Sequence, residues 1–219
     1  MSLRSVLKRT LPLMFFAILL AFFSKGQMQH RSLEIGGLAG QMLNIYPDFP
    51  ARKAQTALLI SYSHWRRSQA NEDFHRPESG VCLSFHNFGN SNDLGYGVGL
   101  QYQITFHQKL SERLSLTECF RPGLIYNTKP YHYLSNTKNI VSGAPFSALI
   151  GASMGLNYKM TSSLSLNLEA TLWHASNGHT GLPNVGMNSP MGMLSVQYRF
   201  DKSKIDTLKF TRGSFDKKM

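Results

Sequence analysis

Two residues with the chemistry of acyl transfer, His174 and Ser176, stand at the end of a segment in which every second residue is apolar: Leu164, Leu166, Leu168, Ala170, Leu172. Alternate side chains of an extended chain point to opposite faces, so His174 and Ser176 share the face of the leucines. Their Cβ atoms are then near enough for imidazole to bond the hydroxyl, the base–nucleophile pairing of acyl transfer. The chain continues as Asn177-Gly178-His179-Thr180-Gly181-Leu182-Pro183-Asn184-Val185-Gly186-Met187-Asn188. Its Gly, Pro and Asn content suits a loop that bends back and presents donors to a developing oxyanion, Asn177 and Gly178 among them. An isolated His-x-Ser is more often an incidental pair in a polar loop. His64, His107 and His179 are read in that plain way. No cluster of ligand-type side chains appears, so no metal or organic cofactor is expected.

The elements that must position these residues are strands. Tyr96, Val98, Leu100, Tyr102, Ile104 and Phe106 alternate with Gly97, Gly99, Gln101, Gln103, Thr105 and His107. Phe146, Ala148, Ile150, Ala152, Met154, Leu156 and Tyr158 repeat the pattern against Ser147, Gly151, Ser153, Gly155, Asn157 and Lys159. Such segments fall at about 31–41, 55–64, 80–88, 95–108, 113–126, 144–160, 162–174 and 191–200. They run longer than the five or six residues usual in globular strands, and about 9–11 residues cross a bilayer. An even number of alternating strands predicts an all-β, antiparallel up-and-down barrel of eight strands, closed so that every backbone group is paired within hydrocarbon. A soluble sandwich or lipocalin-like barrel would turn the greasy face inward. Here the small and polar face suits a narrow lumen.

Connections follow the same plan. Leu110-Ser111-Glu112 and Thr161-Ser162 are tight, whereas 42–54, 127–143 and 175–190 are long and polar, as expected of inner turns and outer loops. The long segment 65–79 on the inner side has no explanation in this plan. Glu118 shares a face with Leu114, Leu116 and Phe120. A carboxylate facing lipid needs a bulge, a register change or a place near the headgroups.

Arg4, Lys8 and Arg9 precede the apolar run Leu11 to Phe23 and then Ser24-Lys25-Gly26, the order of a cleaved signal peptide over 1–26. Residues 27–200 then form the barrel, and 201–219 a basic C-terminal tail. The net charge of +11 falls to +7 once the four cations of 1–26 are removed. For an exported chain this excess argues for anionic lipid headgroups rather than nucleic acid. Cys82 and Cys119 lie within strands and are read as packing residues, with a single bridge left open. Oligomeric state is not legible.

His174-Ala175-Ser176-Asn177, followed by Pro183-Asn184 and Gly186, resembles the signature of the lipid A 3-O-deacylase (PagL-type acyloxyacyl hydrolase) family. The resemblance extends to Tyr126-Asn127-Thr128-Lys129-Pro130-Tyr131 with Lys138-Asn139-Ile140, and in strand order to about residues 30–200. It implies an eight-stranded outer-membrane barrel with the site on its lipid-facing wall, acting on lipopolysaccharide in the outer leaflet. His174 would be the general base, Ser176 the nucleophile and Asn184 an oxyanion-stabilising residue. The chain departs from the family at its acidic position, two residues after Gly186, where Asn188 stands. An amide can hold an imidazole tautomer but stabilises imidazolium less than a carboxylate. A non-catalytic barrel and a lipid acyltransferase remain as competing expectations.

Overall fold

Aromatic and branched residues alternating with small or polar ones make each segment a strand with one apolar side. The computed structural model describes residues 28–44, 46–66 and 77–200. Eight strands account for most of them: β1 (Met28–Gly40), β2 (Gln55–Arg66), β3 (Glu78–Asn87), β4 (Tyr96–Lys109), β5 (Leu114–Asn127), β6 (Phe146–Lys159), β7 (Leu164–Ser176) and β8 (Met187–Arg199). Each pairs antiparallel with its sequence neighbours, and β1 also pairs with β8, Ile35 opposite Val196, closing the barrel. The fold is thus the expected all-β, eight-stranded outer-membrane barrel. The expected leader (1–26), the tail (201–219) and residues 67–76 of the long inner connection lie outside the described residues.

Parity holds around the wall. Ile35, Leu58, Leu100, Leu124, Leu168 and Leu194 are exposed on the outside, while their neighbours along each strand turn inward. Glu118 keeps this parity: it is exposed, opposite Phe106 and Met154, with neither bulge nor register change. It sits four residues from the inner end of β5, so a place toward the inner headgroups is the way its cost is limited.

One boundary differs from the sequence expectation in a way that matters. β8 begins at Met187, not at 191, and so carries Asn188 and Pro190 into the sheet. Proline tolerates this place because its carbonyl accepts Gln41 N (3.2 Å) just where β1 has ended, so its missing N–H falls at a strand end. The lumen is also not uniformly small and polar. Toward the outer loops it is filled by Leu38, Leu59, Phe88, Ile125, Leu149, Trp173, Met187 and Met191, all buried. The inner half is polar: Arg121 and Glu169 pair at 3.3 Å, Ser153 Oγ donates to Glu169 (2.7 Å), and Asn167 Nδ2 donates to Glu34 (2.7 Å). His107 and Glu78 pair at 3.2 Å. Cys82 and Cys119 are both free and buried, as packing residues.

Candidate active site

β7 delivers His174 and Ser176 to the outer end of the wall, and β8 meets them there. The pairing places Leu172 opposite Pro190, His174 opposite Asn188 and Ala175 opposite Met187. His174 and its outward neighbour Leu172 are exposed, whereas Trp173 and Ala175 are buried in the lumen. The imidazole therefore projects from the face that the leucines present to lipid.

Cross-strand register brings the His174 ring to Asn188, with Nδ1 2.8 Å from Oδ1. An amide oxygen only accepts, so Nδ1 carries the hydrogen and Nε2 keeps its lone pair for a substrate or nucleophile proton. Asn188 thus holds the orientation that a general base needs, without the charge of a carboxylate.

Ser176 is half-buried and belongs to a second small network. Asn184 Nδ2 donates to its Oγ at 3.0 Å, and Gly178 N lies 3.4 Å from the same oxygen. Asn184 Oδ1 accepts Asn177 N (3.1 Å), which turns the amide so that its NH2 faces the hydroxyl. Asn184 and Gly178 are consequently the donors gathered at Ser176. Asn177 is not: its N–H is taken by Asn184, and its buried side chain donates to the Gly181 carbonyl (2.8 Å). Its place is inside the loop, shaping it, rather than facing a substrate.

Among the described residues no hydrogen bond joins His174 to Ser176. Residues i and i+2 of a strand are separated by about 6.5–7 Å along the chain, so their side chains touch only by leaning together. Here His174 leans across to β8 and Ser176 toward the loop. Both remain on one face with the Nε2 side of the ring unoccupied by Asn188, and catalytic bonds are often long until substrate closes the site.

The 177–186 loop is held from outside itself. Val185 N donates to the Ile140 carbonyl (3.2 Å) and Gly186 N to the Val141 carbonyl (3.0 Å), both in the β5–β6 connection. Gly186 has φ of 77°, and a Cβ there would approach Ala175 O to 3.2 Å beside the His174 ring. Only glycine adopts that turn easily. Sequence reasoning gave 140–141 no role, since backbone carbonyls carry no side-chain signature. On the wall below Leu172 and Pro190, Ala170 faces Gly192. These small residues leave a shallow groove of about 610 Å³ on the wall, lined by Leu168, Ala170, Pro190 and Gly192.

No family model matches the sequence, and no curated protein matches it. Solved structures do. The outer-membrane enzyme PagL is similar with a TM-score of 0.57 at 12% identity, over 74% of this chain and 97% of that one. Neisserial surface protein A (NspA) is similar with a TM-score of 0.53 at 9% identity, over 77% of this chain and 96% of that one. Likeness at such identity concerns the fold alone. The chain has the architecture of the eight-stranded outer-membrane barrels, one of which is an enzyme and another a surface protein.

Proposed function

We propose that this protein is an ester hydrolase of the outer membrane that removes a fatty acyl chain from lipid A. The observation that carries the proposal is the placement of a histidine with its Nδ1 held by Asn188, and a serine held by Asn184, on the lipid-facing side of one strand end. A soluble esterase must extract its lipid, whereas this wall meets acyl chains where they lie. Similarity in fold to an outer-membrane enzyme adds support.

In this mechanism Nε2 of His174 takes the Ser176 proton as Oγ bonds the ester carbonyl carbon. The carbonyl oxygen becomes an alkoxide that accepts from Asn184 Nδ2 and Gly178 N, donors already gathered at Ser176. Collapse breaks the bond to the sugar oxygen, which receives the proton from His174. Water, activated by the same imidazole, then releases the fatty acid and restores Ser176. The apolar groove over Ala170 and Gly192 receives the chain attached to that carbonyl.

The competing reading is a non-catalytic barrel. It is favoured by the neutral Asn188 and by the separation of His174 from Ser176, and a surface protein shares the fold. Mass spectrometry of lipid A from cells producing the parent or Ser176→Ala decides. Loss of one acyl chain with the parent only is the expected result. Unchanged lipid A with the folded parent would leave the non-catalytic reading, and transfer of the chain to another lipid would mark an acyltransferase.

A further inference from the structure

The connection between β5 and β6, residues 128–145, does more than join two strands. Asn139 near its middle is buried, and its side chain makes three hydrogen bonds to main chain. Oδ1 accepts Val141 N (3.0 Å) and Ser142 N (3.3 Å), while Nδ2 donates to the Lys129 carbonyl (2.6 Å). One side chain that accepts twice and donates once is an amide, and this length is asparagine's. The bonds fold 139–142 into a tight bend and tie it to the start of the connection. The bend turns the carbonyls of Ile140 and Val141 outward, onto Val185 N and Gly186 N. Those are the two residues directly after Asn184, whose NH2 is bonded to Ser176. The grip continues two residues before Asn184, where Gly143 lies so close to Leu182 that a Cβ would stand 2.5 Å from its carbonyl carbon. Asn184 is thereby held between two fixed points, neither of them in its own hairpin.

We propose that Asn139 is a positioning residue for the Ser176 centre, acting through the Ile140 and Val141 carbonyls to set Asn184 against the serine. The role in catalysis rests on the hydrolase reading above; the mechanical coupling does not. Asn139 touches neither substrate nor the reacting atoms. Its effect is to fix where the oxyanion donor stands, and a misplacement of about 1 Å at a reacting centre costs about a hundredfold in rate.

The test compares the full chain with Asn139→Ala and Asn139→Asp, each refolded in detergent and checked for the heat-modifiable gel shift of the parent. Hydrogen exchange at the Val185 and Gly186 amides and hydrolysis of a lipid A ester are both measured. N139A is expected to exchange at those two amides at least tenfold faster and to lose between about 10- and 100-fold in kcat, with KM within about twofold of the parent. N139D keeps the two acceptor bonds and is expected to recover most of both. If N139A does not refold, Asn139→Ser, which keeps one acceptor, carries the same expectation at smaller size. Parent-like exchange at Val185 and Gly186 in a folded N139A or N139S protein overturns the proposal, and so does a parent-like kcat. A parent without hydrolase activity overturns the hydrolase reading and with it the catalytic role. The exchange measurement still decides the coupling in that case.

Discussion

At the scale of single residues, the chemistry turns on which oxygen each nitrogen can reach. His174 faces Asn188 at 2.8 Å, and Ser176 faces Asn184 at 3.0 Å. If Ser176 attacks and His174 takes its proton, Ser176→Ala and His174→Ala should each reduce deacylation by at least about a thousandfold, and the double variant should be no worse, because the pair acts as one unit. Fatty acid release from a lipid A ester measures this, and a parent-like rate in folded S176A removes the serine from the mechanism. Asn188 allows a finer comparison. Asn188→Asp replaces the amide oxygen by a carboxylate at the same distance from Nδ1, which stabilises the imidazolium formed during attack. It should raise kcat by up to about tenfold, or about 1.4 kcal/mol of barrier. Asn188→Ala, which frees the ring, should lower kcat.

At the scale of elements, β7 and β8 act as a pair. The His174–Asn188 register that forms the site also puts Ala170 opposite Gly192, four pairs farther into the apolar belt and on the same outward face. A Cβ on Gly192 would meet nothing closer than Ala39 O at 4.0 Å, so a larger side chain there points into the groove without disturbing the sheet. Gly192→Leu is therefore expected to refold with the parent's heat-modifiable shift and thermal midpoint. Its kcat/KM on a long-chain ester should fall by about tenfold, roughly the worth of displacing one or two methylenes from an apolar contact. A short-chain ester that does not reach Gly192 should be cleaved at the parent rate. Equal loss on both esters would place the acyl chain elsewhere.

At the scale of the whole molecule, the barrel is held by a lumen in two zones. The outer zone is packed with Leu59, Ile125, Trp173 and Met191, which stiffens the wall behind the site. The inner zone is a network around Arg121, whose guanidinium meets Glu169 at 3.3 Å and Ser153 Oγ at 2.9 Å. Side chains of both partners are almost wholly buried, at 2% and 5% exposure, so solvent screens the pair little. Removing one partner leaves the other charge stranded. Arg121→Met should destabilise the barrel by about 3–5 kcal/mol. Urea-induced unfolding in lipid vesicles measures it, and Arg121→Met combined with Glu169→Gln should recover much of the loss. Equal stability of the single and double variants would mean that Glu169 finds its compensation elsewhere in the lumen.

Alternation along the chain was enough to determine the strands, their number and order, and the face on which His174 and Ser176 stand. Strand parity is a local property with a period of two, and it persists wherever one side of the sheet meets lipid. Residues such as Leu166 and Ser165 therefore declare their sides without reference to any neighbour. What lies across from a residue is not local. That Asn188 is in β8 at all, opposite His174, depends on the register of closure around all eight strands and on Pro190 finding the end of β1. That Asn177 is consumed by Asn184, and that Ser176 leans to the loop rather than to His174, depends on where the 177–186 loop is pinned. The pin is a pair of backbone carbonyls at 140 and 141, which any residue type could supply. Side-chain identities specify the faces of this barrel, but the contacts between distant backbones, set only when the sheet closes, decide which of those side chains meet.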